Sequence, residues 1–125
     1  MKFAQRVFLV AGIVGVLLLA PWFFLENLWG ERFPPPITHP EFFYGFTCTV
    51  FAWQLVYLLI SRDPARYRPM MLLATLAKGS FGVSMFVLLG LGRVPPSLAV
   101  GATIDLVFAA LFVYAYVAIG NTYDR

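Results

Sequence analysis

The sequence predicts an all-α fold: a four-helix transmembrane bundle, built as a single domain over residues 1–125, with both termini in the cytoplasm. Three observations predict it. Apolar residues make up 61% of the chain and charged residues 12%, whereas a soluble domain of this size needs far more polar surface to cover its core. Four apolar runs, at about 3–25, 41–61, 69–91 and 97–120, can each cross a ~30 Å hydrocarbon layer at ~1.5 Å per residue. No run alternates with the period of a membrane barrel strand, and an open sheet would leave unsatisfied edges in lipid.

In the first run, Lys2 and Arg6 precede VFLVAGIVGVLLLA. That apolar stretch is too long for a secretory leader and lacks a small-x-small cleavage site before Pro21, so an uncleaved helix is expected. Ala11, Gly12 and Gly15 supply the small residues that let a neighbouring backbone approach. Pro21 ends or kinks the helix, and Trp22, Phe23, Phe24, Leu28, Trp29 and Phe33 read as an aromatic belt at the headgroup level. The connection ENLWGERFPPPITHPE follows, with Pro34-Pro35-Pro36 expected to be stiff and extended. Thr38 and Glu41 fit the N-cap and N3 positions of a capping box, with Pro40 tolerated in the first turn. This account is preferred to a functional His39/Glu41 pair because it explains more of the residue types present.

The second run is aromatic, with Gln54 as its one strongly polar interior residue and Cys48 expected to be buried. A lone cysteine allows neither an intrachain disulfide nor a cysteine metal site. In SRDPARYRP, Asp63-Pro64 favours a turn and Pro69 suits the first turn of the third helix. Arg62, Arg66 and Arg68 are expected to set topology and touch lipid headgroups. The short link GLGRVPPS makes the third and fourth helices antiparallel neighbours, and Tyr114, Tyr116 and Tyr123 read as belt residues.

Orientation follows from the basic residues. Lys2, Arg6, Arg62, Arg66, Arg68 and Arg125 share one side, and Arg32 and Arg93 the other, which places both ends in the cytoplasm. The net charge of +3 is mostly this topology signal, and nothing resembles a nucleic-acid surface.

Two opposite charges interrupt the third and fourth runs, Lys78 and Asp105. Ionised groups at such depth face a bundle interior, a partner charge or a water-filled cavity. At ~1.5 Å per residue, Lys78 lies about 13 Å inside the cytoplasmic boundary and Gln54 about 10 Å. By the same rise, Asp105 lies about 12 Å inside the outer boundary, which in a ~30 Å core leaves the two charges about 5 Å apart in depth. Stripes of small residues, Met71/Ala74/Thr75/Lys78/Gly82/Met85 and Gly101/Ala102/Asp105/Ala109/Phe112, face one another.

Three readings of the charges follow. An architectural pair makes the chain a non-catalytic accessory or scaffold component of a membrane assembly, and this is the preferred reading. A binding or transport site for a small molecule or lipid would use Lys78, Asp105 and Gln54. In the third, Lys78 snorkels to the headgroups. A lipid-modifying enzyme using Asp105 ranks below these. A metal site usually needs three or more His, Cys or carboxylate ligands, and His39 is the sole histidine. The sequence therefore points to no catalytic set, metal or cofactor. The expected partners are membrane lipids and other membrane subunits or further copies of the chain.

At ITHPEFFYGF, SRDPARYRPMM and Lys78 the chain resembles a family of small bacterial inner-membrane proteins with four predicted helices. The resemblance covers most of the chain beyond the first helix and implies a bacterial inner-membrane location without implying an activity. In that family an acidic residue is expected just before the lysine. The position here is Ala77, leaving Asp105 as the partner of Lys78. The overall plan is also similar to that of DoxX-like proteins, at the level of fold alone.

Overall fold

The first helix, α1 (Lys2–Leu19), stops where Pro21 can offer no backbone N–H, and the chain tightens into a 3-10 segment, Ala20–Phe24. A computed structural model of the chain describes residues 1–32 and 34–120 in full and the backbone of 121–123. The roles expected of Phe33, Arg125 and the Tyr123 side chain fall outside the described residues. The remaining helices are α2 (Glu26–Arg32), α3 (Pro40–Arg62), α4 (Arg68–Gly90) and α5 (Leu98–Tyr123), with no strand among the described residues.

Helix α2 lies in the connection that follows the first apolar run, where the sequence reading placed no helix. Glu26 in its first turn and Arg32 in its last match the helix dipole, but seven residues are too few to show a period. Tyr44 Oη donates to Glu26 Oε2 at 2.9 Å and ties α2 to α3. Beyond α2 the proline segment bends at Pro34 and Pro35 instead of running extended.

The capping box is corrected as well. Helix α3 begins at Pro40 with His39 as its N-cap, and no side chain makes a capping bond. The amides of Phe42 and Phe43 donate to the His39 carbonyl instead, at 3.0 and 3.3 Å. Glu41, one position too early for N3, pairs with His39 Nδ1 at 3.0 Å on the exposed surface. Cys48 is exposed, contrary to expectation. Helix α3 buries the face carrying Thr47, Gln54, Tyr57, Ile60 and Ser61, and Cys48 lies beside that face. The Asp63 turn forms, with Asp63 Oδ1 accepting the Arg66 amide at 3.2 Å.

Helix α4 closes in a Schellman motif: the Arg93 amide donates to the Leu88 carbonyl at 2.9 Å and the Gly92 amide to Leu89 at 3.1 Å. Gly92 takes φ 70°, a left-handed conformation in which a Cβ is penalised. The chain then reverses into α5.

Two antiparallel hairpins result, α1/α3 and α4/α5, each held by glycines. A Cβ at Gly12 would come within 2.6 Å of Leu58, and one at Gly82 within 2.6 Å of Leu106. The hairpins share one core, built from Val7, Phe8 and Ala11 of α1, Tyr57 and Ile60 of α3, Met71 and Ala74 of α4, and Phe112, Ala115 and Ile119 of α5. Phe8 stacks on Phe112 with ring centroids 4.2 Å apart, and Tyr57 lies 5.2 Å from Phe112. All of these residues fall in the half that holds the start of α1 and the α3–α4 turn, called here the closed end.

The outward faces carry exposed apolar side chains such as Leu17, Leu72, Leu76, Val83, Val100 and Val107. Water does not tolerate an apolar surface of that extent on a monomer. Four helical segments, Lys2–Phe24, Pro40–Arg62, Arg68–Gly90 and Leu98–Gly120, are long and apolar enough to cross a membrane, which suggests a multi-pass membrane protein.

Candidate functional site

Above the shared core the two hairpins part around a cavity of about 580 Å³. Tyr57 and Phe108 line its floor, and the opposite end, called here the open end, is lined by Trp22, Trp29, Ser97 and Leu98. Phe46 of α3 and Phe81 of α4 face each other across the gap with ring centroids 5.9 Å apart. Trp22 packs on Trp29 at 4.3 Å and holds α2 over the open end.

The ion pair sits low in this cavity. Lys78 Nζ lies 3.1 Å from Asp105 Oδ1, with the side chains 11% and 23% exposed. Local sequence explains the approach. Gly79 and Gly82 keep α4 slim where it meets α5: a Cβ at Gly82 would sit 3.1 Å from the Ala102 carbonyl, and one at Gly79 would be 3.8 Å from Ala109 Cβ. The two rings lining the floor flank the ammonium, with Nζ 5.4 Å from the centroids of both Tyr57 and Phe108. Cation–π attraction and the carboxylate therefore hold the lysine inside the bundle, and the snorkelling geometry is not adopted.

Gln54 also lines the cavity and is 1% exposed. Its Nε2 donates to the Val50 carbonyl at 2.8 Å. Its Oε1 has no hydrogen-bond partner among the described residues and rests where a Gly15 side chain would lie. That placement allows a weak Cα–H···O contact with the Gly15 backbone. Gln54 is thus brought to the same cavity as Lys78 and Asp105 but is engaged with α1, and among the described residues no hydrogen bond joins it to either charge.

The three arginines separate. Arg62 and Arg66 are exposed at the α3–α4 turn. Arg68 turns into the bundle: its Nε donates to the Tyr116 carbonyl at 3.1 Å and its guanidinium carbon lies 3.9 Å from the Tyr116 ring centroid. The guanidinium occupies the space that a side chain at Gly120 would take. Stacking on Tyr116 and the notch at Gly120 draw it away from the surface, so Arg68 works as a clamp between α4 and α5.

Sequence reading missed the aromatic wall. All three tryptophans of the chain, Trp22, Trp29 and Trp53, line the cavity. Their clustering depends on how the hairpins splay, which no local period encodes. Tyr57 and Phe108 could have been found from spacing: Tyr57 follows Gln54 by three positions and Phe108 follows Asp105 by three, the step that stacks side chains on one helix face.

Chemically, the arrangement is a net-neutral polar centre, with spare hydrogen-bonding capacity, at the bottom of an aromatic cavity. His39 and Glu41 lie on the surface. Among the described residues, no group of three His, Cys, Asp or Glu side chains comes together. Comparison with known proteins finds no matching family model, curated protein or solved structure.

Proposed function

We infer that the chain is a multi-pass protein of the bacterial inner membrane, with both termini cytoplasmic, that binds a small molecule between its two helix hairpins. The observation that carries this reading is the cavity of about 580 Å³ whose charged lining residues, among the described residues, are the paired Lys78 and Asp105. Ligand sites are mostly apolar concavities of about 300–1,000 Å³ with a few convergent polar groups, and ionisable residues at membrane depth tend to mark such sites. A pair serving architecture alone needs no space around it. The bias of Lys and Arg supports the orientation, and on that orientation the open end faces outward. The resemblance carried by ITHPEFFYGF and SRDPARYRPMM points to the same membrane. This reading ranks above the scaffold role that the sequence alone favours.

Native mass spectrometry of the protein released from mild detergent tests the reading, with Lys78→Met/Asp105→Leu as the control. The wild type is expected to carry a small molecule at fixed stoichiometry, and the double variant to lose it while keeping its helicity. If both retain the same complement, or neither carries anything while both fold, the pair is architectural and the scaffold reading returns.

A further inference from the structure

The walls of the cavity also restrict what it can hold. We propose that the ligand is a single-chain amphiphile with an uncharged, hydroxylated head, the chemical class of a monoacylglycerol, seated head-down on Lys78 and Asp105 with its chain leaving between α1 and α5. This rests on the binding reading above and adds the ligand class to it.

Charge decides the head. The two charges in the wall are opposite and 3.1 Å apart, so they neutralise each other. A carboxylate, phosphate or ammonium head would leave one charge unmatched in a poorly solvated site, which is strongly unfavourable. Hydrogen bonding decides the rest. An ammonium has three donors, and the contact with Asp105 Oδ1 uses one. A carboxylate accepts through both oxygens, which leaves Asp105 room for a further donor. A hydroxyl answers both needs because it donates and accepts. Thr49, Ser80 and Ser84 continue the polar lining along the α3/α4 side, matching a head with more than one hydroxyl.

Shape decides the chain. A cavity of this size encloses a drug-sized body, not a two-chain phospholipid. On the α1/α5 side, Val14, Leu18, Ile104 and Gly101 line the cavity and are also exposed at the surface. Residues do both at an opening, and by the same test Thr49, Ser80 and Ser84 mark a second one between α3 and α4. That one is edged with hydroxyls, so a hydrocarbon chain takes the α1/α5 side. A Cβ at Gly101 would meet no atom within 4 Å, so the opening is unobstructed there. Val14, Leu18, Gly101 and Ile104, which edge this opening, are all apolar, which suits a hydrocarbon chain reaching into lipid.

The tryptophans provide the assay, since all three line the cavity and bromine atoms on a chain quench indole fluorescence at contact. The full chain is placed in phosphatidylcholine nanodiscs and titrated with chain-brominated monoacylglycerol, fatty acid or alkylamine of equal chain length. Unbrominated monoacylglycerol serves as competitor. Saturable, competable quenching by the monoacylglycerol is expected at a mole fraction at least about tenfold below that needed for either charged analogue. Gly101→Leu, which narrows the opening one helical turn from Asp105, should raise the half-quenching fraction by about tenfold at unchanged helicity and with the preference for the uncharged head kept. Equal or stronger saturable quenching by a charged analogue overturns the uncharged head while leaving the cavity a binding site. Retained affinity in Gly101→Leu, with head discrimination intact, overturns the α1/α5 exit. Absence of saturable quenching by all three, together with no co-purifying molecule, defeats the binding reading itself.

Discussion

The two ends of the bundle are made from the same four long helices and similar residues, yet they do opposite things. At the closed end, alanines and rings interlock, with Phe8, Phe112, Met71 and Ala74 fully buried. At the open end, Trp22, Phe46 and Phe81 line a cavity instead of filling one another's gaps. At the closed end Ala4, Ala11, Ala74 and Ala115 leave room in which Phe8, Tyr57 and Phe112 interlock. At the open end small residues such as Ser80, Ser84 and Gly101 face the space and no ring fills it. Packing and space are thus set separately along one axis, with the ion pair at the boundary between them.

The comparison is broken most severely at that boundary. Asp105→Leu alone leaves Lys78 without its counter-charge and is expected to cost about 3–5 kcal/mol in unfolding experiments in detergent. Adding Lys78→Met should recover most of the loss, because an apolar pair of similar volume is about as stable as a buried ion pair. If the single and double variants unfold alike, the two charges are not coupled. Next in size, Phe8→Ala at the closed end should cost about 3 kcal/mol through an unfilled cavity. Phe81→Ala at the open end should cost under about 1 kcal/mol, because it widens a space already present. Equal losses at the two ends would remove the distinction between them.

Glycines sharpen the comparison. Gly15→Ala should destabilise by about 1–3 kcal/mol, since the new methyl collides with Gln54. Gly101→Ala meets nothing and should be neutral or stabilising by up to about 1 kcal/mol through helix propensity. Circular dichroism on thermal unfolding separates the two signs. A further modest effect is expected from Arg68→Lys, which loses the planar stacking on Tyr116 but keeps the charge. A shift of about 1 kcal/mol is expected, and an unchanged midpoint would show that the clamp contributes nothing.

Much of the fold could be read from the chain because the long helices are written in uninterrupted apolar runs whose ends carry Pro, Gly or Arg. Pro21, Pro40, Pro69 and Gly92 each mark an observed boundary within a residue or two. The contact between Lys78 and Asp105 was legible for the same reason, since a tight link fixes the relative depth of two antiparallel helices. Helix α2 was not, being shorter than the window in which a period shows. The His39 cap was misplaced by one position because Thr38 and His39 both precede a proline-led helix, and only backbone geometry separates them. Arg68 and Tyr116 were read as separate headgroup residues because their contact joins positions 48 apart. The cavity depends on how two hairpins lean, a property of the whole molecule that no single segment contains.

The Schellman turn at Gly92 has a consequence for how the chain is made. It links the helix that carries Lys78 directly to the helix that carries Asp105, so both charges belong to one insertion unit. Entering a membrane singly, each charged helix would bear a penalty of about 2.5–3.5 kcal/mol at its centre on translocon scales. Entering as a preformed α4/α5 hairpin, the charges arrive already matched, and the translocation machinery meets a nearly neutral object. Biogenesis then couples the last two helices, which enter together. Lengthening the turn with a flexible spacer would separate the charges in time, and membrane integration of the last two helices should become less efficient.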